Sequence, residues 1–201
     1  MNTVEQLLSK RQDIWRGRQR PQRMAIPTGC NVLDQHLPDQ GWPCGQLVAL
    51  YANPIGSGEL QLLLPTLAEQ TQRAFPVMLI SPPWVPCPQT LHQAGVCLEH
   101  CLIIHGRNHG LWATEQVLRS GLCGAVVLWL GPRNITDSTI RRLQLACENG
   151  PAPLFIIQTA NKHSMLIRSA IKLLIEPGPK IRLIHSEQGI AKIAFSLSES
   201  I

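Results

Sequence analysis

Apolar residues come in short unbroken runs separated by amphipathic stretches, and that alternation predicts the elements in order. Residues 47–51 are a fully apolar run, read as a strand, and a glycine-rich turn follows. Residues 59–73 carry Leu60, Leu63, Leu64 and Leu67 at helix spacing, with Pro65 placed to cap or kink the early turns. Residues 76–80 predict a second strand, then a loop with Pro82, Pro83, Pro86 and Pro88, then a brief helix over 89–94. Residues 98–104 predict a third strand and 111–120 a helix capped by Gly121. Residues 125–130 form the most apolar run, a fourth strand. A helix over 136–149 has Thr136 at its N-cap, Ile140, Leu143, Ala146 and Cys147 as its inner stripe, and Gly150 as its stop. Residues 154–158 predict a fifth strand.

Continuous apolar strands alternating with amphipathic helices imply an α/β fold, a mostly parallel sheet flanked by helices on both faces. The end of the chain changes pattern. Residues 170–175, 181–185 and 190–196 are separated by turn residues and predict an antiparallel meander with a C-terminal hairpin, closing one sheet edge. At the other end, residues 3–15 read as a short N-terminal helix with Val4, Leu7, Leu8, Ile14 and Trp15 roughly on one face. Residues 16–23 contain no apolar side chain and predict a solvated linker. The expected division is residues 1–26 as helix and basic linker, and residues 27–201 as one domain.

Charge sharpens this division. Residues 1–24 hold six basic side chains against two acids, a surplus of four out of a net charge of +5, which leaves +1 for the rest of the chain. Arg16, Arg18, Arg20 and Arg23 therefore form a basic arm. Three readings stay open for it: a solvated face, contact with DNA phosphates, or contact with an acidic partner surface. Trp15 is the only aromatic nearby, so base stacking is poorly supported.

With 44% hydrophobic and 15% charged residues, the chain is neither disordered nor a charge-rich coiled coil. No apolar run approaches the roughly 18 residues of a membrane span, and the N-terminus lacks a secretion-signal layout, so a cytoplasmic location is expected. The seven cysteines, at positions 30, 44, 87, 97, 101, 123 and 147, are irregularly spaced and read as reduced, mostly buried thiols. Cys97 and Cys101, with His100, His105 and His109 nearby, suggest metal ligands. On a strand, however, the two thiols would stand about 13 Å apart, so no metal is expected. Asp34 and His36 lack the nucleophile elbow of a hydrolase, and Asp34 reads as capping or orienting the loop before Leu37. Trp129 reads as core. Trp42 and Trp84, in Pro/Gly loops, read as exposed partner anchors.

The candidate chemistry sits in Ala52-Asn53-Pro54-Ile55-Gly56-Ser57-Gly58-Glu59-Leu60, between a strand and a helix. A phosphate-binding loop occupies that position, and Gly56, Ser57 and Gly58 are small enough for backbone N–H groups to converge on an anion. Such a loop also needs a lysine, and here Gly58 or Glu59, depending on register, stands in its place. A carboxylate beside a triphosphate is repulsive by roughly 4 kcal/mol per charge pair at 4 Å and an effective dielectric near 20. The strand that should end in a magnesium-holding acid offers Trp129 and Leu130. With Asn53 at its start, the segment reads as a degenerate P-loop. Its favoured role is a turn joining strand to helix, with weak anion binding as the alternative. No cofactor, no catalytic residue and no ATP hydrolysis are expected.

Thr28-Gly29-Cys30-Asn31-Val32-Leu33-Asp34 and Gly41-Trp42-Pro43-Cys44-Gly45-Gln46, leading into residues 47–51, resemble a RecA core approaching its ATP loop. Three further stretches are more specific: Leu62-Leu63-Leu64-Pro65-x-Leu67-Ala68, Leu118-Arg119-Ser120-Gly121-x-Cys123-Gly124-Ala125-Val126-Val127-x-Trp129-Leu130, and Arg141-Arg142-Leu143-Gln144-Leu145-Ala146. They resemble ImuA, the RecA-like accessory protein of SOS mutagenesis cassettes, and more loosely SulA, the SOS inhibitor of the division protein FtsZ. The resemblance spans roughly residues 15–185. The segment over 28–51, the basic approach at Trp15-Arg16 and the Cys123-Gly124-Ala125 turn favour ImuA. The acid-containing end Ser198-Glu199-Ser200 departs from the longer basic tail of that family. The resemblance implies a degenerate RecA-like domain that acts without catalysis in translesion synthesis, binding an ImuB-like partner and RecA. Under the alternative, a division inhibitor, the partner is FtsZ.

Overall fold

Residues of the third strand are buried on both faces, and the sheet explains why. In the computed structural model, which describes residues 24–106, 109–131, 135–160, 167–177, 180–186 and 193–196, β3 (Leu47–Ala52) lies at the heart of an eight-stranded sheet. The remaining strands are β4 (Val77–Ile80), β5 (Cys101–Ile104), β6 (Ala125–Trp129), β7 (Leu154–Thr159), β8 (Ile171–Glu176), β9 (Lys180–Ser186) and β10 (Ile193–Ser196). Their order is β10-β9-β8-β3-β7-β6-β4-β5. The six strands from β8 to β5 are parallel, while β8–β9 and β9–β10 are antiparallel. The α/β sheet with a C-terminal antiparallel extension is thus borne out. The predicted helix over 3–15, Arg16, Arg18, Arg20 and Arg23, and residues 197–201 lie outside the described residues.

Alternation along the strands sends side chains into two cores. Val48, Leu50 and Ala52 face α1 (Asn31–His36), α2 (Glu59–Gln72) and α3 (Pro88–Gln93), packing with Leu33, Leu62, Leu63, Leu67 and Leu91. Leu47, Ala49 and Tyr51 face α4 (Gly110–Ser120) and α5 (Asp137–Cys147), packing with Leu118, Ile140 and Leu143. Thr136 caps α5 as expected, its hydroxyl accepting the Thr139 N–H at 3.3 Å. Gly121 ends α4 in the left-handed conformation. Glu115 of α4, almost fully buried, pairs with Arg119 at 2.8 Å and with Arg142 of α5, which fixes the two helices to each other.

Three local expectations change. Residues 98–100 form a 3₁₀ turn instead of the start of a strand, because β4 offers only four positions and pairing begins at Val77 opposite Cys101. That turn removes the extended geometry behind the predicted spacing of Cys97 and Cys101. Helix α1 has no counterpart among the elements the sequence predicts. Asp34 lies inside it and orients the loop on its N-terminal side, accepting the Thr28 N–H at 3.0 Å.

Trp42, expected to be an exposed anchor, has no exposed surface. It sits in β2 (Trp42–Pro43), which pairs antiparallel with β1 (Ala25–Ile26) over α2. Its indole N–H donates to Thr66 Oγ1 at 3.0 Å, and its ring meets Phe155 edge-on. A buried indole needs such a polar partner, and the two-residue pairing provides the cover.

Candidate functional site

The chain leaves β3 at a topological switch point. The connection from β3 runs toward β4 on one side, whereas the connection from β7 crosses β3 to reach β8 on the other. Crevices at the carboxyl ends of such strands are where open α/β sheets bind ligands. Residues 53–58 emerge there, with Ala52 flanked by Thr159 of β7 and Ile175 of β8.

The loop is shaped by its own residues. Gly56 and Gly58 adopt φ of 95° and 109°, the left-handed region that glycine enters without strain. Ser57 donates its hydroxyl to the Pro54 carbonyl at 2.6 Å. Gly58 caps α2, accepting the Leu62 N–H at 3.0 Å. Of the two residues between which the sequence left the register open, Gly58 is the N-cap and Glu59 is the first helical residue.

Its carboxylate does not project into solvent. Glu59 is only 4% exposed, and its Oε1 accepts the Gly56 N–H at 2.7 Å. Its Oε2 is buried without a hydrogen-bond partner.

Trp84 is 65% exposed, as expected of an anchor, and it leans over the loop. A Cβ added at Gly56 would lie 3.5 Å from Trp84 Cζ3. The structure thus brings together Gly56, Ser57, Gly58, Glu59 and Trp84, and the proximity of Trp84 carried no sequence signal. Trp42 belongs to the core instead. At the end of β6, Trp129 is buried and Leu130 follows, and the sequence holds no acid from there through Thr136. Gln158 of β7, paired in register with Tyr51, is buried with Oε1 unpartnered, a second residue that sequence reasoning missed.

Another feature missed by the sequence lies at the opposite end of the strands. A cavity of about 500 Å³ opens at the amino ends of β3 and β8, lined among others by Gln46, Arg141, Gln144, Arg168 and Ser169. Gln46 Oε1 and Ser169 Oγ are buried there without partners.

Among the described residues no three His, Cys, Asp or Glu side chains converge as metal ligands. No described helix is long and apolar enough to cross a membrane. The thiols differ sharply. Burial, reinforced by Glu148, pushes Cys147 up to about 12, while the backbone and side chain of Thr90 pull the exposed Cys87 below its ordinary value. A lower thiol pKa means more thiolate at neutral pH, and thiolate is the reacting species. Mass-spectrometric mapping after brief maleimide treatment at neutral pH is therefore expected to find Cys87 modified first and Cys147 last. Labelling of Cys147 before Cys87 would contradict this geometry.

No protein-family model matches the chain, and no curated protein matches it. Among solved structures, the crystal structure of SulA from Pseudomonas aeruginosa is similar at 26% sequence identity and a TM-score of 0.46, the match covering 56% of this chain and 98% of that one.

Proposed function

We propose that this chain is a non-catalytic, RecA-like adaptor in SOS-induced translesion DNA synthesis, binding an ImuB-type Y-family-like partner and RecA in the cytoplasm. The observation that carries the non-catalytic part is the inward-turned Glu59. It stands where a P-loop enzyme has its lysine, on a loop whose opposite strand brings no acid for magnesium. An ATP site without either charge has nothing to neutralise a leaving phosphate.

The adaptor part is supported by the ImuA-like stretches, which supply α2, the α4–β6 turn and α5. Most of their apolar residues fill the two cores, so partner contact falls to the exposed Trp84 beside the loop and, in the sequence, to the basic residues Arg16, Arg18, Arg20 and Arg23. An exposed tryptophan is the side-chain type that most often dominates an interface.

The test is co-purification of the tagged full chain with an ImuB-type partner and with RecA at low salt. Retention of the ImuB-type partner, weakened at least about tenfold by Trp84→Ala, is the expected result. Loss of both partners overturns the proposal. Filamentous cells on overexpression, with unchanged mutation rate, transfer the chain to the division-inhibitor reading with FtsZ as partner.

A further inference from the structure

A glutamate at the first position of a helix ordinarily points into water, where it gains from the helix dipole without losing hydration. Glu59 gives up that hydration. It is 4% exposed, folds back over the loop and places Oε1 2.7 Å from the Gly56 N, while Oε2 is buried with no partner. Burying a carboxylate with one oxygen unsatisfied is costly, so its surroundings have to offset that cost.

They do so in two ways. The N-terminus of the 14-residue α2 contributes positive potential, and the loop backbone donates a charge-assisted hydrogen bond. The left-handed glycines at 56 and 58 are what allow the backbone to curl around the group, and Trp84 covers the Gly56 side. An anion on a backbone N–H at a helix start is the arrangement by which such loops hold phosphate.

We infer that residues 53–58 are a phosphate-type anion seat whose occupant is the chain's own Glu59 carboxylate, and that removing this carboxylate turns the loop into a receptor for pyrophosphate or a nucleotide polyphosphate. The internal carboxylate excludes such ligands by occupying the donor and by like-charge repulsion. A chain with a self-occupied seat could serve any partner, so the seat stands apart from the adaptor reading.

The experiment is calorimetric titration of the full-length chain with pyrophosphate, ATP and adenosine. The wild-type chain should give no binding. Glu59→Ala should bind pyrophosphate and ATP at least about tenfold more tightly than wild type, and adenosine not at all. Glu59→Gln keeps an acceptor for the Gly56 N–H but loses the charge, so it should fall between the two. A gain with ATP and adenosine but not with pyrophosphate would place recognition on the base, not in the seat, and overturn the inference. Wild-type binding as tight as that of Glu59→Ala would also overturn it. So would a folded Glu59→Ala that binds no better than wild type. If the alanine variant does not fold, a folded Glu59→Gln that fails to gain affinity decides against the proposal.

Discussion

Trp42→Ala is expected to destabilise the protein by about 3–5 kcal/mol, read as a lower midpoint in denaturant unfolding of the full chain. Trp42 has no exposed surface, so its truncation removes the largest fully buried side chain among the described residues and leaves a cavity. Its ring centroid lies 5.2 Å from that of Phe155 at an interplanar angle of 81°, and this edge-on packing disappears with the ring. The indole N–H also donates to Thr66 Oγ1, which in turn donates to the Pro27 carbonyl at 3.2 Å. Together these interactions tie the short β1–β2 pair to α2, and Phe155 extends the tie to the main sheet. Trp42→Phe keeps an aromatic ring but not the donor, and it should cost clearly less than the alanine change. A loss below about 1 kcal/mol for Trp42→Ala would mean that β1 and β2 do not cover the helix as described.

Gly29→Ala is the second large effect, expected at about 2–4 kcal/mol by the same measurement. Gly29 has φ of +82°, and a side chain in the left-handed region costs roughly 1–2 kcal/mol. The added Cβ would also lie 2.3 Å from Cβ and 2.8 Å from Cγ of Pro65, whose ring is held within α2. Relieving that overlap requires the loop or the helix to move, at a further cost of roughly 1–3 kcal/mol. Pro65→Ala removes Cγ but not Cβ, so the double variant should not recover wild-type behaviour in the loop. Gly29→Ala with an unchanged midpoint would place the loop farther from α2 than 2.3 Å allows.

The central strands were legible because a parallel strand covered on both faces must be apolar at nearly every position, and β3, β6 and β7 are buried along almost their whole length. Helices α2, α4 and α5 announced themselves by spacing and caps. What stayed hidden depends on distant partners. β1 and β2 have two residues each, too few for any period, and their pairing is what buries Trp42 in a segment that reads as a Pro/Gly loop. The start of β5 is set by the length of β4, which no local pattern around Leu98 encodes.

The site divided along the same line. The residue types around Gly56 and Glu59 pointed to an altered phosphate loop, and the register was open by only one residue. The inward turn of the Glu59 carboxylate and the approach of Trp84 are tertiary facts. The loop between β4 and α3 delivers the tryptophan, and no spacing between positions 56 and 84 foretells it.

β3 has a consequence for how the molecule comes into being. Of the eight strands in its sheet it is the first to leave the ribosome, yet both of its neighbours, β7 and β8, belong to the later part of the chain, with Ile171 pairing 123 positions after Val48. An apolar ribbon without partners must therefore wait through the synthesis of several more strands. Such distant pairing slows folding and prolongs the exposure of sticky backbone. The sheet closes around its oldest member only once β7 and β8 have both emerged, so damage to β8 should leave one side of β3 uncovered.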